Sequence, residues 1–216
     1  MATHTLAFFR DQLSADASLP LAHACPRVLY LRSGSLVARS AGSAAALSPN
    51  AAWHGDGACD VVAGKAGADL YRWELLRGGD ASAAGAALRA AVTLDPATGW
   101  LMRCDRVDFP LGGIAYTHTH RGPGIRCLLA GEIRVKVNDA EHAVRPGEAW
   151  FEAGPDPVLA LASEREATSF ARVMVLPAEL RGRSSIRYVL PEDQDKPKRQ
   201  TYQLFIDDPI AQGWLK

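Results

Sequence analysis

The chain has 216 residues, 48% hydrophobic and 22% charged, which excludes a disordered polymer and a coiled coil. Lys and Arg total 24 and so do Asp and Glu, a balance that excludes a protein whose main task is to coat nucleic acid or an anionic membrane. No run reaches the roughly 20 apolar residues of a membrane span. The start, MATHTLAFFRDQ, has no basic-then-apolar export pattern, so a cytoplasmic protein is expected.

In chain order, residues 3–13 (THTLAFFRDQL) place Leu6, Phe9 and Leu13 on one helical face behind Thr3 as a cap, which predicts a short N-terminal helix. From there the apolar residues come in short runs with a period of two: VLYLR, SLVAR, LYRWELL, LMRCDRVDF, IRCLLA, EIRVKV and FARVMVL. Gly, Pro, Asn and Asp punctuate them, so the runs read as strands of a β-sandwich or barrel. SGS and AGE read as tight turns in which Gly34 and Gly131 supply a positive φ. Residues 80–91 (DASAAGAALRAA) read as an Ala-rich linking helix capped by Asp80 or Ser82 and weakened by Gly85. In the tail, RGRSSIRYVL and TYQLFI read as strands on either side of a charged, Pro-broken loop. The tail also carries Ile210, Trp214 and Leu215, apolar enough to pack on the barrels or on a second subunit, which is one of the grounds for expecting a homodimer. Cys25, Cys59, Cys104 and Cys127 form no Cys-x-x-Cys pair and read as buried free thiols.

The chain also repeats itself. Adding 97 to residues 20–53 lays His23 on His120, Pro26 on Pro123, Leu31 on Leu128 and Gly34 on Gly131. The same shift matches Ala46, Pro49, Ala52 and Trp53 to Ala143, Pro146, Ala149 and Trp150. Two copies of one β-unit of about 80–90 residues fit the length without a second kind of domain.

One constellation carries chemistry: Gly112-Gly113-Ile114-Ala115-Tyr116-Thr117-His118-Thr119-His120. On a strand, residues i and i+2 face the same way, so His118 and His120 present two imidazoles to one side. Inside a small barrel both can reach one ion at about 2.0–2.1 Å. Tyr116, by the same alternation, sends its ring to the same pocket. Trp150 and Glu152 share a strand face, with Glu152 the best carboxylate to complete a metal site and Asp156 the second choice. Arg126, near the Gly122-Pro123-Gly124 turn, is placed to pair with an acidic ligand. On LMRCDRVDF, Arg103 and Asp105 share one face, and Cys104, Arg106 and Asp108 the other, as in a sheet with one wet side. His4, His54 and His142 read as surface or loop residues.

Here the chain resembles the cupin superfamily, whose first motif is G-x5-H-x-H-x3/4-E-x6-G. Gly112, His118, His120 and Gly131 fit, but Gly124 or Ile125 stands where the glutamate belongs. In the second motif, which starts at Gly147, Val158 or Pro157 stands in the histidine slot and Ala162 in the asparagine slot. Through the repeat, the first copy keeps His23 and has Leu21 in the first histidine slot. The resemblance implies an all-β bicupin: two tandem double-stranded β-helix (jelly-roll) barrels behind a short N-terminal helix. Its parts are a lead-in (1–17), a degenerate barrel (18–90), a His-x-His barrel (91–180) and an extension (181–216). The second barrel is expected to hold a small organic ligand near Tyr116, Arg126 and Trp150. A divalent ion (Zn, Fe, Ni or Mn) is expected on His118, His120 and Glu152. Three readings follow: a binding protein, a metal-dependent oxygenase or isomerase, and a structural or regulatory protein with a vestigial site. Neither a nucleic acid nor a membrane is expected as a partner.

Overall fold

The computed structural model describes residues 2–78, 83–137 and 140–215. It divides the chain into two compact units: Met1–Met102 with Asp208–Lys216, and Arg103–Asp207. The first unit carries β1 (Ala2–Leu13), β2 (Ser18–Leu21), β3 (Arg27–Ser40), β4 (Ser43–Leu47), β5 (Ala51–Gly55), β6 (Cys59–Arg77) and β7 (Leu88–Leu94). Their order is β4-β3-β6-β1-β7, with β2 on β6 and β5 on β3.

The remaining strands are β8 (Trp100–Phe109), β9 (Ile114–His120), β10 (Gly124–Ala130), β11 (Ile133–Val137), β12 (Ala140–Val144) and β13 (Ala149–Glu152). They continue with β14 (Val158–Ala162), β15 (Thr168–Pro177), β16 (Ile186–Tyr188) and β17 (Thr201–Pro209). They form two five-stranded sheets, β13-β10-β15-β8-β17 and β12-β11-β14-β9-β16.

The two units share a pairing scheme. The early half of β3 pairs with β5 and the late half of β6, and its late half pairs with β4 and the early half of β6. Correspondingly, β10 pairs with β13 and β15, and β11 with β12 and β14. Strand β2 on β6 matches β9 on β14, and β1 on β6 matches β8 on β15.

The expected N-terminal helix is a strand. Residues Ala2–Leu13 form β1, laddered to β6 from His4↔Arg77 to Leu13↔Ala68 and to β7 on its other edge. Leu6, Ala7, Phe8 and Phe9 are all buried, so both faces of β1 are covered. A short apolar run buried on both sides has no period of its own, and the Leu6–Phe9–Leu13 spacing imitates a helix by coincidence. The expected Ala-rich helix is absent over its described part, since Leu88–Leu94 is the edge strand β7, and Gly85 at φ +80° lies in the turn before it. Asp80 and Ser82, its expected caps, lie outside the described residues. Gly34 has the expected positive φ, but β3 runs through it by an irregular register instead of turning. There a Cβ would lie 2.1 Å from the Gly67 carbonyl oxygen.

In the second unit, one end of the interior is apolar, built from Val107, Phe109, Leu128, Ile133, Val135 and Phe170. The other end holds His118, His120, Arg103, Asp105, Arg126, Glu152 and Arg172, all 7% exposed or less. By strand alternation Arg103 and Asp105 share the face of Val107 and Phe109, so this charged face of β8 lines the barrel interior. Their cross-strand ion pairs go to Asp207 and Arg172.

Candidate metal and ligand site

The imidazole pair is aimed by an irregularity. Val158 pairs with His118 while Ala160 pairs with Ala115, so β9 carries one residue more than β14 over this stretch. The extra residue resets the alternation. Ala115 and His118 then both line the same small cavity, with His120 beyond them. Tyr116 loses the shared face that strict alternation gave it. Its half-buried ring lies under the Lys196 ammonium at 5.0 Å, away from the cavity-lining residues. What Tyr116 contributes is its carbonyl, which accepts the His118 Nδ1 proton at 2.7 Å.

That bond leaves His118 Nε2 as a bare acceptor. It faces His120 Nε2 at 3.2 Å. His120 Nδ1 contacts Ser185 Oγ at 3.2 Å, and Ser185 in turn donates weakly to Met174 Sδ at 3.8 Å. With that direction of bonds His120 Nδ1 is also a donor, and two lone pairs point at each other. Either a cation sits between them, or Ser185 turns its proton to His120 Nδ1 and His120 Nε2 donates to His118. Ligands about 2.0–2.1 Å from one ion lie roughly 2.9–3.4 Å apart, so the observed spacing suits two adjacent ligands.

The carboxylate comes from the neighbouring strand. Gly124, in the slot where the cupin motif has glutamate, pairs directly with Glu152 on β13. Paired residues share a face, so Glu152 sends its carboxylate to the face from which the motif's glutamate would project. Its Oε2 lies 3.6 Å from His120 Nε2. Trp150 Nε1 donates to Oε1 at 2.8 Å. The bare Gly124 also admits Arg126: a Cβ there would lie 3.0 Å from Arg126 Nη1, which donates to the Gly124 carbonyl at 2.6 Å. Arg126 Nη2 sits 2.6 Å from Glu152 Oε2, at an angle too poor for a hydrogen bond, and both atoms are buried without another hydrogen-bond partner among the described residues.

Arg172, which the sequence reading did not single out, holds Asp105 through two bonds of 2.6 and 3.0 Å. Burial and the guanidinium groups of Arg126 and Arg172 push His120 well below the ordinary imidazole value. Burial lowers His118 too, against the opposing pull of the Tyr116 carbonyl and Glu152. Both rings are thus neutral near pH 7, the form that binds metals. Arg126 is itself lowered to about 10 by burial, with Glu152 working against the shift.

The cavity among these groups has a volume of about 20 Å³, room for a water or an ion and not for an organic ligand. Beyond Arg172, Ile186 and Tyr202 lies a second chamber of about 420 Å³, walled largely by residues 182–204. Ser185, Tyr188 and Tyr202 therefore join the site from the tail. Among the described residues, no group of three His, Cys, Asp or Glu side chains is already arranged to hold a metal. Glu152 falls short because it is turned to Arg126. The third cupin histidine slot is filled by Val158, buried against His118. Asp156 is exposed and takes no part.

The first unit has a similar buried charge group, but a closed one. Glu74 accepts from Arg27 at 2.7 Å and from Arg72 at 2.8 Å, and Arg72 binds Asp11 at 2.7 Å. Arg27 spends its other donors on the His23 and Gly57 carbonyls. His23 is exposed and Leu21 buried, so no imidazole pair forms there. Cys25, Cys59, Cys104 and Cys127 are free and buried, and burial raises the Cys59 and Cys104 thiols. His4, expected at the surface, is buried as well.

No family model and no curated relative matches the chain. Solved structures do. AerE from Microcystis aeruginosa is similar over 82% of this chain and 88% of its own, with a TM-score of 0.58 and 13% identity. A Bacillus subtilis oxalate decarboxylase, OxdC, matches over 88% of this chain and 74% of its own, with a TM-score of 0.67 and 10% identity. Ylba from E. coli matches over 79% and 76%, with a TM-score of 0.55 and 13% identity. At such identities the likeness is one of fold, and that fold is the all-β cupin type.

Proposed function

We propose that the second unit binds a small organic molecule and holds a divalent metal ion on His118 and His120, with Glu152 as the third ligand. The observation that carries the reading is the pair of Nε2 atoms turned to each other at 3.2 Å, with Glu152 paired to the vacant Gly124 slot. An imidazole–carboxylate set suits Zn, Fe, Ni or Mn. When bound, such an ion supplies Lewis-acid chemistry, polarising a carbonyl or enolate oxygen. The chain's own residues do the rest. Trp150 and Arg126 orient Glu152, Tyr116 and Ser185 hold the imidazoles in one rotamer, and Val158, Phe109 and Phe170 keep bulk water from one side of the cavity.

The first unit, with its charges closed on one another, is the structural copy of a bicupin. A homodimer belongs to the same proposal, since Val189 and Leu190 stay exposed in the tail. No described helix is long and apolar enough to cross a membrane. The competing reading is a site that has lost its metal, favoured by the Arg126–Glu152 contact, which neutralises the carboxylate without help.

The test is a melting curve of the full chain with added Zn or Mn. The metal raises the melting temperature of the parent and leaves His118→Ala/His120→Ala unmoved. Equal curves for both proteins support the vestigial site. Dioxygen uptake with phenols or diketones by the loaded protein then separates an oxygenase from a binding protein.

A further inference from the structure

The 420 Å³ chamber is within the size range of ligand pockets, about 300–1,000 Å³. Its charge is one-sided. Arg103, Arg172, Arg183 and Lys198 line it against Asp105 alone. Arg103 is committed to Asp207 and to the Leu180 and Arg183 carbonyls. Lys198 donates to the Asp193 and Gln194 carbonyls and meets no carboxylate among the described residues.

Arg172 is different. It is 5% exposed and borders both the inner cavity and the chamber. Its Nε and Nη2 bind Asp105, whereas no described residue takes a hydrogen bond from Nη1. A nearly buried guanidinium with an unspent donor at a throat calls for an acceptor, and a charged one is favoured most. The walls ask for something else. Ile186, Tyr188, Tyr202 and Leu204 are apolar or aromatic, and Tyr202 and Leu204 are about half exposed at 47% and 54%.

We infer that this chamber takes a small organic carboxylate with an apolar or aromatic body. The carboxylate meets Arg172 Nη1 at the throat, and the body lies between Tyr188, Tyr202 and Leu204. This rests on the metal reading above in one respect: a divalent ion among neutral imidazoles leaves the inner cavity short of negative charge, which an anionic ligand supplies. The unspent Arg172 donor stands without it.

The experiment is calorimetric titration of the full chain with phenylacetate and with its neutral isostere phenylacetamide, with metal content measured on the same sample. Phenylacetate is expected to bind at least about tenfold more tightly, as a hydrogen bond to a charged partner implies. Tyr202→Ala/Leu204→Ala, which removes only half-exposed side chains, weakens phenylacetate by about tenfold and leaves the melting temperature in place. Arg172→Gln/Asp105→Asn, which removes both charges together, abolishes the preference for the anion. Equal binding of the two probes, or no binding of phenylacetate, overturns the inference even if metal is present. A protein that carries no metal, takes up none from added Zn, Mn, Fe or Ni and still prefers phenylacetate overturns the metal reading and leaves this one standing.

Discussion

Replacing Glu152 by Gln keeps the shape of the side chain and removes its charge. The amide oxygen still accepts from Trp150, but Arg126, 1% exposed, loses the carboxylate 2.6 Å from its Nη2. Near neutral pH a guanidinium stays charged, so the variant leaves it buried beside a neutral amide. Breaking a buried pair from one side costs about 3–5 kcal/mol. With a urea dependence of about 2 kcal/mol per molar, the midpoint of the second unit falls by about 2 M. Urea unfolding followed by circular dichroism measures it, with the two units fitted as separate transitions. Arg126→Met/Glu152→Gln recovers at least half of the loss, because no unpaired charge is left behind. A Glu152→Gln midpoint within about 0.3 M of the parent refutes the reasoning, since Arg126 would then have water or another partner.

Three further outcomes follow from the same geometry. Ser185→Ala removes the group that holds His120 Nδ1 and lowers metal affinity about 10–100-fold in a chelator competition; unchanged affinity assigns Ser185 to packing alone. The four buried thiols stay silent to a disulfide reagent until denaturant is added, and a thiol that reacts in the native protein contradicts their burial. Burial lowers His4, and His118 and His120 likewise, below the ordinary 6.5. As pH falls through 6.5 the unfolded chain takes up protons that the folded chain refuses, so stability is full above 6.5 and declines below it. Each ring contributes at most about 1.4 kcal/mol per pH unit, and His4→Gln removes one share of the slope; a slope unchanged by that substitution sinks the assignment.

The repeat and the punctuation of short apolar runs made the β-fold readable, because each copy keeps its own glycines, tryptophans and turn signals. The two buried faces of β1 were not readable, since a central strand leaves no alternation to detect. His118 and His120 were found by alternation along one strand, Trp150 and Glu152 by a shared strand face beside the turn that follows them, and Arg126 by its place after the Gly122-Pro123-Gly124 turn. Alternation failed at Tyr116, where the extra residue of β9 resets the faces and nothing in the residue types announces it. Arg172 and Ser185 lie on strands and tail segments far from the motif in sequence, and only pairing brings them in. The charged pattern of β8 was a signal for Asp105, but alternation did not say which face meets water, because polar barrel interiors and solvent select the same residues. Glu152 owes its place to its pairing with Gly124, a relation between two strands that no single run displays.

The most direct measurement is elemental analysis of full-length protein purified without an affinity tag or chelator, beside the His118→Ala/His120→Ala variant. The parent is expected to carry close to one divalent ion per chain and the variant none. A folded parent that carries no metal, and takes up none from added Zn, Mn, Fe or Ni, contradicts the metal reading.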